Sequence, residues 1–370
     1  MFSCCSFLRF VSVRLTPAFI TAILLVLLSL PSHAEQVSGL YDVAVPVDSQ
    51  SSKALNWATK DGLKTVFIRV SGKAEIIHQP EITEAVRRAS KMTRQFRYEQ
   101  RTQADGSEAL YAVIEFEQQL VDSALRQAGL PLWSSNRPTV LVWLVIDDAQ
   151  GRRSIGAERD KPVVAVITEN SRRRGLALKL PSLDLEDMVA VSVDELWQLS
   201  SWKAKSAAER YGADTILFGR VTQLTNGEVL GRWHYRYNQQ TVEFDGEGSS
   251  INDFVAAGLD QVAELLAEQY AVVPVKIADG GVMLRLTGIT NFTDYARAIN
   301  YLESVAAIRH ANVVEIEGDQ IVVKLVADGS LSQLQQAFAL GGRLLPQLAL
   351  DSDYQGRLLL DLDYRWPATE

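Results

Sequence analysis

The sequence predicts a chain of mixed α/β and α+β class, built from three small units. Three observations carry that expectation. Apolar residues recur at period two and at helical spacing in alternating stretches. Two stretches, residues 139–146 and 215–221, are apolar on both faces, as strands covered by helices on either side must be. From residue 272 onward the patterns read β-α-β-β-α-β, a ferredoxin-like order.

In chain order, residues 40–47 place Tyr41, Val43, Val45 and Val47 on one face of a strand. Ser51 or Ser52 caps a helix striped by Leu55, Ala58, Leu63, Val66 and Val70, and Gly72 stops it. Pro80 opens a short helix. Residues 95–102 and 109–117 form a hairpin across Ala104-Asp105-Gly106-Ser107, and a helix over 118–128 ends at Gly129. These elements make a first α+β unit, residues 36–136.

Arg137-Pro138 marks the boundary to a central α/β unit, residues 137–271, whose first strand leads into a polar loop from Asp147 to Lys161. Pro162 suits the first turn of a helix carrying Val163, Val164, Val166 and Ile167. A short strand over 176–180 and a helical turn from Pro181 follow. Ser192 and Glu195 have capping-box spacing, with Val191 and Leu196 placed as a hydrophobic staple. The helix they open carries Trp197, Ala204, Ala208 and Tyr211 on one face and stops at Gly212. Asn226-Gly227 turns the strand 215–221 into one with Val229, Gly231, Trp233, Tyr235 and Tyr237 on one face. Arg232, His234 and Arg236 take the other. Residues 241–245 add a strand, and Ser250 caps a helix striped by Ile251, Val255, Leu259, Val262 and Leu266.

In the third unit, residues 272–370, strands over 282–286, 312–316, 321–326 and 358–362 alternate with two helices. Phe292, Tyr295, Ile299 and Leu302 stripe the first; Leu331, Leu334 and Phe338 stripe the second, which ends at Gly341-Gly342. The first unit shows a similar order with an extra helical turn, as a diverged repeat would.

Residues 1–34 read as a secretory signal peptide. Arg9 and Arg14 precede an apolar run over 18–30, and Ser32 and Ala34 supply small residues for cleavage after Ala34. A periplasmic location is expected, with a retained anchor as the other reading. Cys4 and Cys5 leave with the leader, so the mature chain of roughly 336 residues has no disulfide or thiol chemistry. Removing the leader moves the net charge from −8 to −10, which argues against sequence-independent nucleic-acid binding. No later run is long and apolar enough for a transmembrane helix.

Chemistry-bearing patterns are few. His78, His234 and His310 are widely spaced and no HExxH occurs, so neither a metal site nor a cofactor is expected. Asp351-Ser352-Asp353 and Asp361-Leu362-Asp363 fall short of the oxygens that calcium needs. There is no GxSxG elbow, and Val70-Ser71-Gly72-Lys73 lacks the first glycine of a phosphate loop, so no catalytic residue is assigned. Asp184 and Asp187, three apart on one helix face, have the spacing of an acid/base pair. An N-cap at Asp184 with Asp187 in the first helical turn is the simpler reading. The loop after the central strand leaves its carboxyl end, where open α/β sheets bind ligands. Asp147, Asp148, Arg152 and Arg153 there, and Arg172, Arg173 and Arg174 at a helix end, join Asp184 and Asp187 as ligand-contact candidates, the arginines for an anion. Most tryptophans fall at apolar core positions, whereas Trp133, between Pro131 and a polar loop, suits an exposed anchor.

Several runs carry a resemblance. They are Tyr41-Asp42-Val43-Ala44-Val45-Pro46-Val47, Arg69-Val70-Ser71-Gly72-Lys73, Arg137-Pro138 before Trp143, and Arg174-Gly175-Leu176-Ala177-Leu178-Lys179-Leu180-Pro181 with Asp184-Leu185-Glu186-Asp187. Val191-Ser192-Val193-Asp194-Glu195-Leu196-Trp197, Tyr211-Gly212-Ala213-Asp214 and Gly231-Arg232-Trp233 complete the set. Together they resemble a family of exported proteobacterial proteins catalogued as domain of unknown function 2066, which implies a periplasmic protein without assigned activity. The middle unit also looks like the α/β modules of envelope accessory proteins, among them the amino-terminal domain of the Tol-system propeller protein and the outer-membrane activators of peptidoglycan synthases. That likeness implies protein partners and no catalysis. The expected function is thus a non-catalytic binding or assembly module of the cell envelope. The alternatives are an envelope hydrolase using carboxylates near Asp147, Asp184 and Asp187, or a binder of an anionic glycan or lipid headgroup.

Overall fold

A computed structural model describes residues 35–102, 107–199, 208–237, 240–273, 281–347 and 360–367. The expected leader with Cys4, Cys5 and the cleavage site, the turn at 103–106, Ala204, Asp351-Ser352-Asp353 and residues 358–359 lie outside them.

The chain enters through β1 (Glu35–Gln36) and builds a first sheet from β2 (Asp42–Val47), α1 (Ser52–Ser71), α2 (Pro80–Arg87), β3 (Thr93–Thr102), β4 (Glu108–Phe116) and α3 (Gln118–Gln127). Its strand order is β2-β4-β3, antiparallel throughout. The two local signals at the ends of α1 both operate. Ser51 Oγ accepts the Ala54 N–H at 3.2 Å, and Gly72 closes the helix at φ 74. A side chain at Gly72 would also run into Ala267 and Trp133, so glycine is required there on two grounds. Between these ends α1 buries Ala58, Leu63, Val66, Phe67 and Val70 in a core shared with Val45, Ile114 and Phe116.

The middle sheet follows. β5 (Asn136–Arg137) pairs with β1 and leads into β6 (Thr139–Asp148), then β7 (Gly151–Ile155), α4 (Lys161–Arg174), β8 (Ala177–Lys179), α5 (Leu185–Ala190) and α6 (Val193–Trp197). β9 (Thr215–Gln223), β10 (Val229–Tyr237), β11 (Gln240–Gly248) and α7 (Ile251–Tyr270) complete it. The order is β11-β10-β9-β6-β7, with β8 and β9 both parallel to β6. Residues 139–146 are buried without exception. Val140, Val142, Leu144 and Ile146 join the core that includes Ile167 of α4 and Val255, Leu259 and Val262 of α7. Leu141, Trp143 and Val145 join Leu183, Val191 and Leu196 on the opposite face. Trp233 stacks on Phe254 at 4.7 Å, in space left by Gly219 and Gly258.

Two expectations fail in this sheet. The polar loop over 147–161 is in large part a hairpin: β7 folds back on β6, pairing Asp147 with Arg152 and Asp148 with Gly151. Gly151 adopts φ 91, and the Asp148 carboxylate accepts the Gln150 N–H at 2.8 Å, which makes the turn. The helix expected from Ser192 to Gly212 is interrupted. Its capping box forms and its staple residues Val191 and Leu196 are buried, but α6 ends at Trp197 and Leu199 turns to φ 55. Among the described residues after Leu199, helical backbone is found at 208–210.

The last sheet contains β12 (Val282–Thr287), α8 (Phe292–Ser304), β13 (Ile308–Glu317), β14 (Gln320–Ala327), α9 (Leu331–Gly341), β15 (Leu345–Pro346) and β16 (Leu362–Arg365). Its order, β13-β14-β12-β16-β15, holds the ferredoxin-like succession with one departure. The closing strand β16 begins at Leu362, where the expected strand ends, and runs parallel to β12, while β15 lies antiparallel outside it. Phe292 does not belong to the buried stripe of α8: it is 81 % exposed, and Asn291 before it is the N-cap. The first three strands of this sheet and the three of the first sheet share one spatial order, as a duplication would leave.

Candidate functional site

The structure brings two groups of expected site residues together and separates the third. Arg172 pairs with Glu169 at 3.1 Å and Arg173 with Asp260 at 2.5 Å, while Arg174 is buried. The end of α4 therefore presents no cluster of open cations to an anion, contrary to expectation. Arg174 belongs to a buried node with Arg69 and Arg137. Arg137 donates to the carbonyls of Arg69 (2.8 Å), Gly175 (2.8 Å), Ser134 (3.0 Å), Arg174 (3.2 Å) and Trp133 (3.3 Å). Arg69 Nη1 serves Gly39, Leu40 and Asp42, and Arg174 Nη2 serves Gly72.

Four of these acceptors, the carbonyls of Arg69, Gly72, Arg174 and Gly175, stand at the ends of α1 and α4, so two negative helix ends offset the buried guanidiniums, together with Asp260 and Glu264. Burial lowers Arg137 to about 9 and Arg69 to about 10, which leaves both cationic at neutral pH. Trp133, expected as an exposed anchor, is buried in this node, with the Arg137 guanidinium 3.8 Å over its ring. Several runs quoted for the resemblance meet here, and what they do is hold the first two sheets together.

Asp184 and Asp187 form a second cluster. Asp184 caps α5, accepting the Asp187 N–H at 3.0 Å, and Arg210 grips its carboxylate through both terminal nitrogens. Asp187 is 1 % exposed and accepts from Leu183 N–H (2.9 Å), Arg210 (2.7 Å) and the Tyr211 hydroxyl (2.6 Å). The hydrogen bonds from Arg210 hold Asp184 down to about 2. General acid–base catalysis needs a group that exchanges its proton near the working pH. Asp184 stays ionised, and three donors occupy Asp187. The pair fastens α5 to the turn at 208–213, so the capping reading holds and the geometry gives no support to a shared proton.

The hairpin residues lie next to this knot. Arg152 pairs with Asp147 at 2.9 Å and stacks 4.0 Å over Trp197. Arg153 bridges Asp148 (2.8 Å) and Asp160 (2.9 Å), holding the Asp148 carboxyl below its usual range. Between hairpin and α5 opens a cleft of about 390 Å³, lined by apolar Trp143, Leu183, Val191 and Val193, by Arg152, Arg153, Arg159 and Asp160, and by Asp187 and Met188. Beside it α5 turns Leu185, Met188 and Val189 outward, 74 %, 51 % and 79 % exposed. Three such side chains on six helical residues are a concentration of apolar surface that folding leaves uncovered.

Sequence reasoning missed Arg210 and Tyr211, whose roles depend on distant partners, and Arg159, which lines the cleft. The stripe Leu185, Met188 and Val189, at i, i+3 and i+4, was open to it as a helix face without a matching core position. No helix among the described residues is long and apolar enough to cross a membrane.

Comparison with known proteins adds little to this geometry. Residues 34–134 match a family model described as "Domain of unknown function (DUF8605)". The matched span holds the first sheet and α1 to α3, and its name differs from that of the family the sequence resembles. No curated protein matches the chain. A solved structure described as "Crystal structure of uncharacterized protein" is 12 % identical, covering 36 % of this chain and 92 % of that one, with a TM-score of 0.17. At that score the likeness carries no argument.

Proposed function

We propose that this protein is a non-catalytic binding or assembly module of the bacterial cell envelope, acting in the periplasm through protein partners. The observation that carries the reading is the exposed apolar face of α5, Leu185, Met188 and Val189, beside a cleft that is itself partly apolar. The carboxylates that a hydrolase would use are tied to Arg210, Tyr211, Arg152 and Arg153, which counts against that alternative. Export rests on the leader pattern of residues 1–34 and on the resemblance to the exported family of domain 2066.

Fractionation of cells making the full chain should yield a periplasmic product whose first residue is Glu35. A photo-crosslinking amino acid at Val189 in intact cells should capture a defined set of proteins that the same group at exposed Lys53 does not. Equal capture from the two positions would sink the proposal.

A further inference from the structure

We infer that the cleft between the first and third units binds a small organic cation, one that carries an acceptor oxygen beside an ammonium or guanidinium group. This site is separate from the α5 face and goes beyond the binding-module reading.

The cleft, about 850 Å³, falls in the size range of small-molecule sites, which favour the junctions between folded units. One wall is α3 with the segments 37–41 and 132–135; the other is the end of α8 and the start of β13. The two walls are fastened to each other. Leu132 and Val272 exchange main-chain hydrogen bonds at 2.9 Å, and Arg126 of α3 donates to the Ala306 carbonyl at 3.0 Å.

The charges on these walls are unevenly answered. Arg126 and Arg309 both turn to Asp328, at 3.4 and 3.2 Å, a carboxylate that stands outside the lining. Arg137, stacked on Trp133, is held by the main-chain carbonyls described above. Glu117, Asp122 and Glu303 line the cleft, and none has an Arg or Lys within ion-pair reach among the described residues. Counting Asp328, four carboxylates stand against two guanidiniums and the His310 imidazole, which lies 3.0 Å from Glu303. Asp122 is only 8 % exposed, and its hydrogen bonds come from neutral groups, the Tyr41 hydroxyl at 2.8 Å and the Gln118 amide. A nearly buried carboxylate that no cation answers costs the fold stability, and burial accordingly pushes the Asp122 carboxyl above its ordinary range. An ammonium or guanidinium entering the cleft relieves that cost.

A second group calls for the acceptor oxygen. Trp133 lines the same cleft with its Cε3 edge at Gly72, and the Nε1–H on the opposite edge is buried without a hydrogen-bond partner among the described residues. A buried donor of this kind is ordinarily satisfied. A metal ion is the poorer match, because no three His, Cys, Asp or Glu side chains among the described residues come together to hold one.

Two matched pairs of probes provide the test, by isothermal titration of the purified chain at low ionic strength. Glucosamine is set against N-acetylglucosamine, and N-acetyl-lysine methylamide against N-acetyl-norleucine methylamide; the members of each pair differ in one ammonium group. At least one cationic member should bind about ten-fold or more tightly than its neutral mate. Preference in the first pair alone assigns an amino sugar, and in the second alone a lysyl side chain. Asp122→Asn, which keeps an acceptor for Tyr41, should weaken the cationic probe about ten-fold, and so should the double variant Glu117→Gln/Glu303→Gln, with melting curves verifying the fold of each. Glu247→Gln, at an exposed position of β11 outside the cleft, should leave binding unchanged. Three outcomes overturn the inference: neither cationic probe outbinds its neutral mate, the folded cleft variants bind as well as the parent, or Glu247→Gln weakens binding as much as they do. Specific capture at Val189 is untouched by any of these results, so the binding-module reading stands or falls separately.

Discussion

Arg137 is the residue whose removal should cost the fold most per atom. It is fully buried, and its five hydrogen bonds end on main-chain oxygens of three separate segments. Arg137→Ala deletes all of these donors and leaves a void beneath Trp133. The two shortest bonds, to Arg69 O and Gly175 O at 2.8 Å, serve helix ends that no solvent reaches easily. Orphaning two buried carbonyls costs about 2–6 kcal/mol, and the lost stacking on Trp133 adds about 0.5–2 kcal/mol. Relief from burying a guanidinium offsets part of this, so the expected loss is about 3–5 kcal/mol, in line with removing one member of a buried charged network. Arg137→Lys keeps the charge but has three donors in place of five and no planar fork, and should fall between. Urea unfolding of the three proteins measures the loss. Hydrogen exchange locates it, because protection should drop first at residues 69–72 and 173–176. A loss under about 1 kcal/mol, or unchanged exchange at both helix ends, would refute the reasoning.

Two further outcomes concern carboxylates of opposite behaviour. Asp184 is held at about 2, below its ordinary 3.8, so its contribution is present above pH about 4 and disappears as the pH falls through about 2. Asp184→Asn should therefore be less stable than the unmodified chain from pH 5 to 8, with the gap closing between pH 4 and 2; a gap that persists at pH 2 would contradict this. Asp122 is buried, accepts the Tyr41 hydroxyl at 2.8 Å and is pushed above its ordinary value by that burial. Its ionised form thus costs stability at neutral pH, a cost that vanishes on acidification through its raised value. Asp122→Asn keeps an acceptor for Tyr41 and should melt at or above the parent temperature at pH 7, its advantage shrinking as the pH is lowered; a clear loss at pH 7 would show that the charge is needed by Arg126.

What the sequence disclosed is what local chemistry decides. The span from Ser51 to Gly72 is legible because its cap, stripe and stop all lie within one helix. The two-faced strand β6 is legible because burial on both sides leaves only apolar and aromatic side chains from 140 to 146. β7 was not, since only Ile155 of its five residues is buried and its pairing depends on the turn at Gly151. The placement of β16 was misjudged because 358–362 is the more apolar run, while Leu362 and Tyr364 are the side chains that pack inward. At the site, Asp184 as a cap could be read from its neighbours, but Arg210 lies 26 residues away and Asp187 gains its partners only through the fold. Arg137 looked like a boundary because its acceptors are main-chain oxygens, which no side-chain pattern announces.

The node around Arg137 also bears on the order in which the protein is made. α1 is the first helix of the described chain, yet the carbonyl of Arg69 waits for a donor 68 residues further on, and that donor in turn reaches Gly175 a further 38 residues along. At ribosomal speeds of about 5–20 residues per second, the carbonyl of Arg69 stands unanswered for roughly 3–14 s after it emerges. A nascent or translocating chain stopped near Pro138 would hold the first sheet without the middle one against which its longest helix is finished.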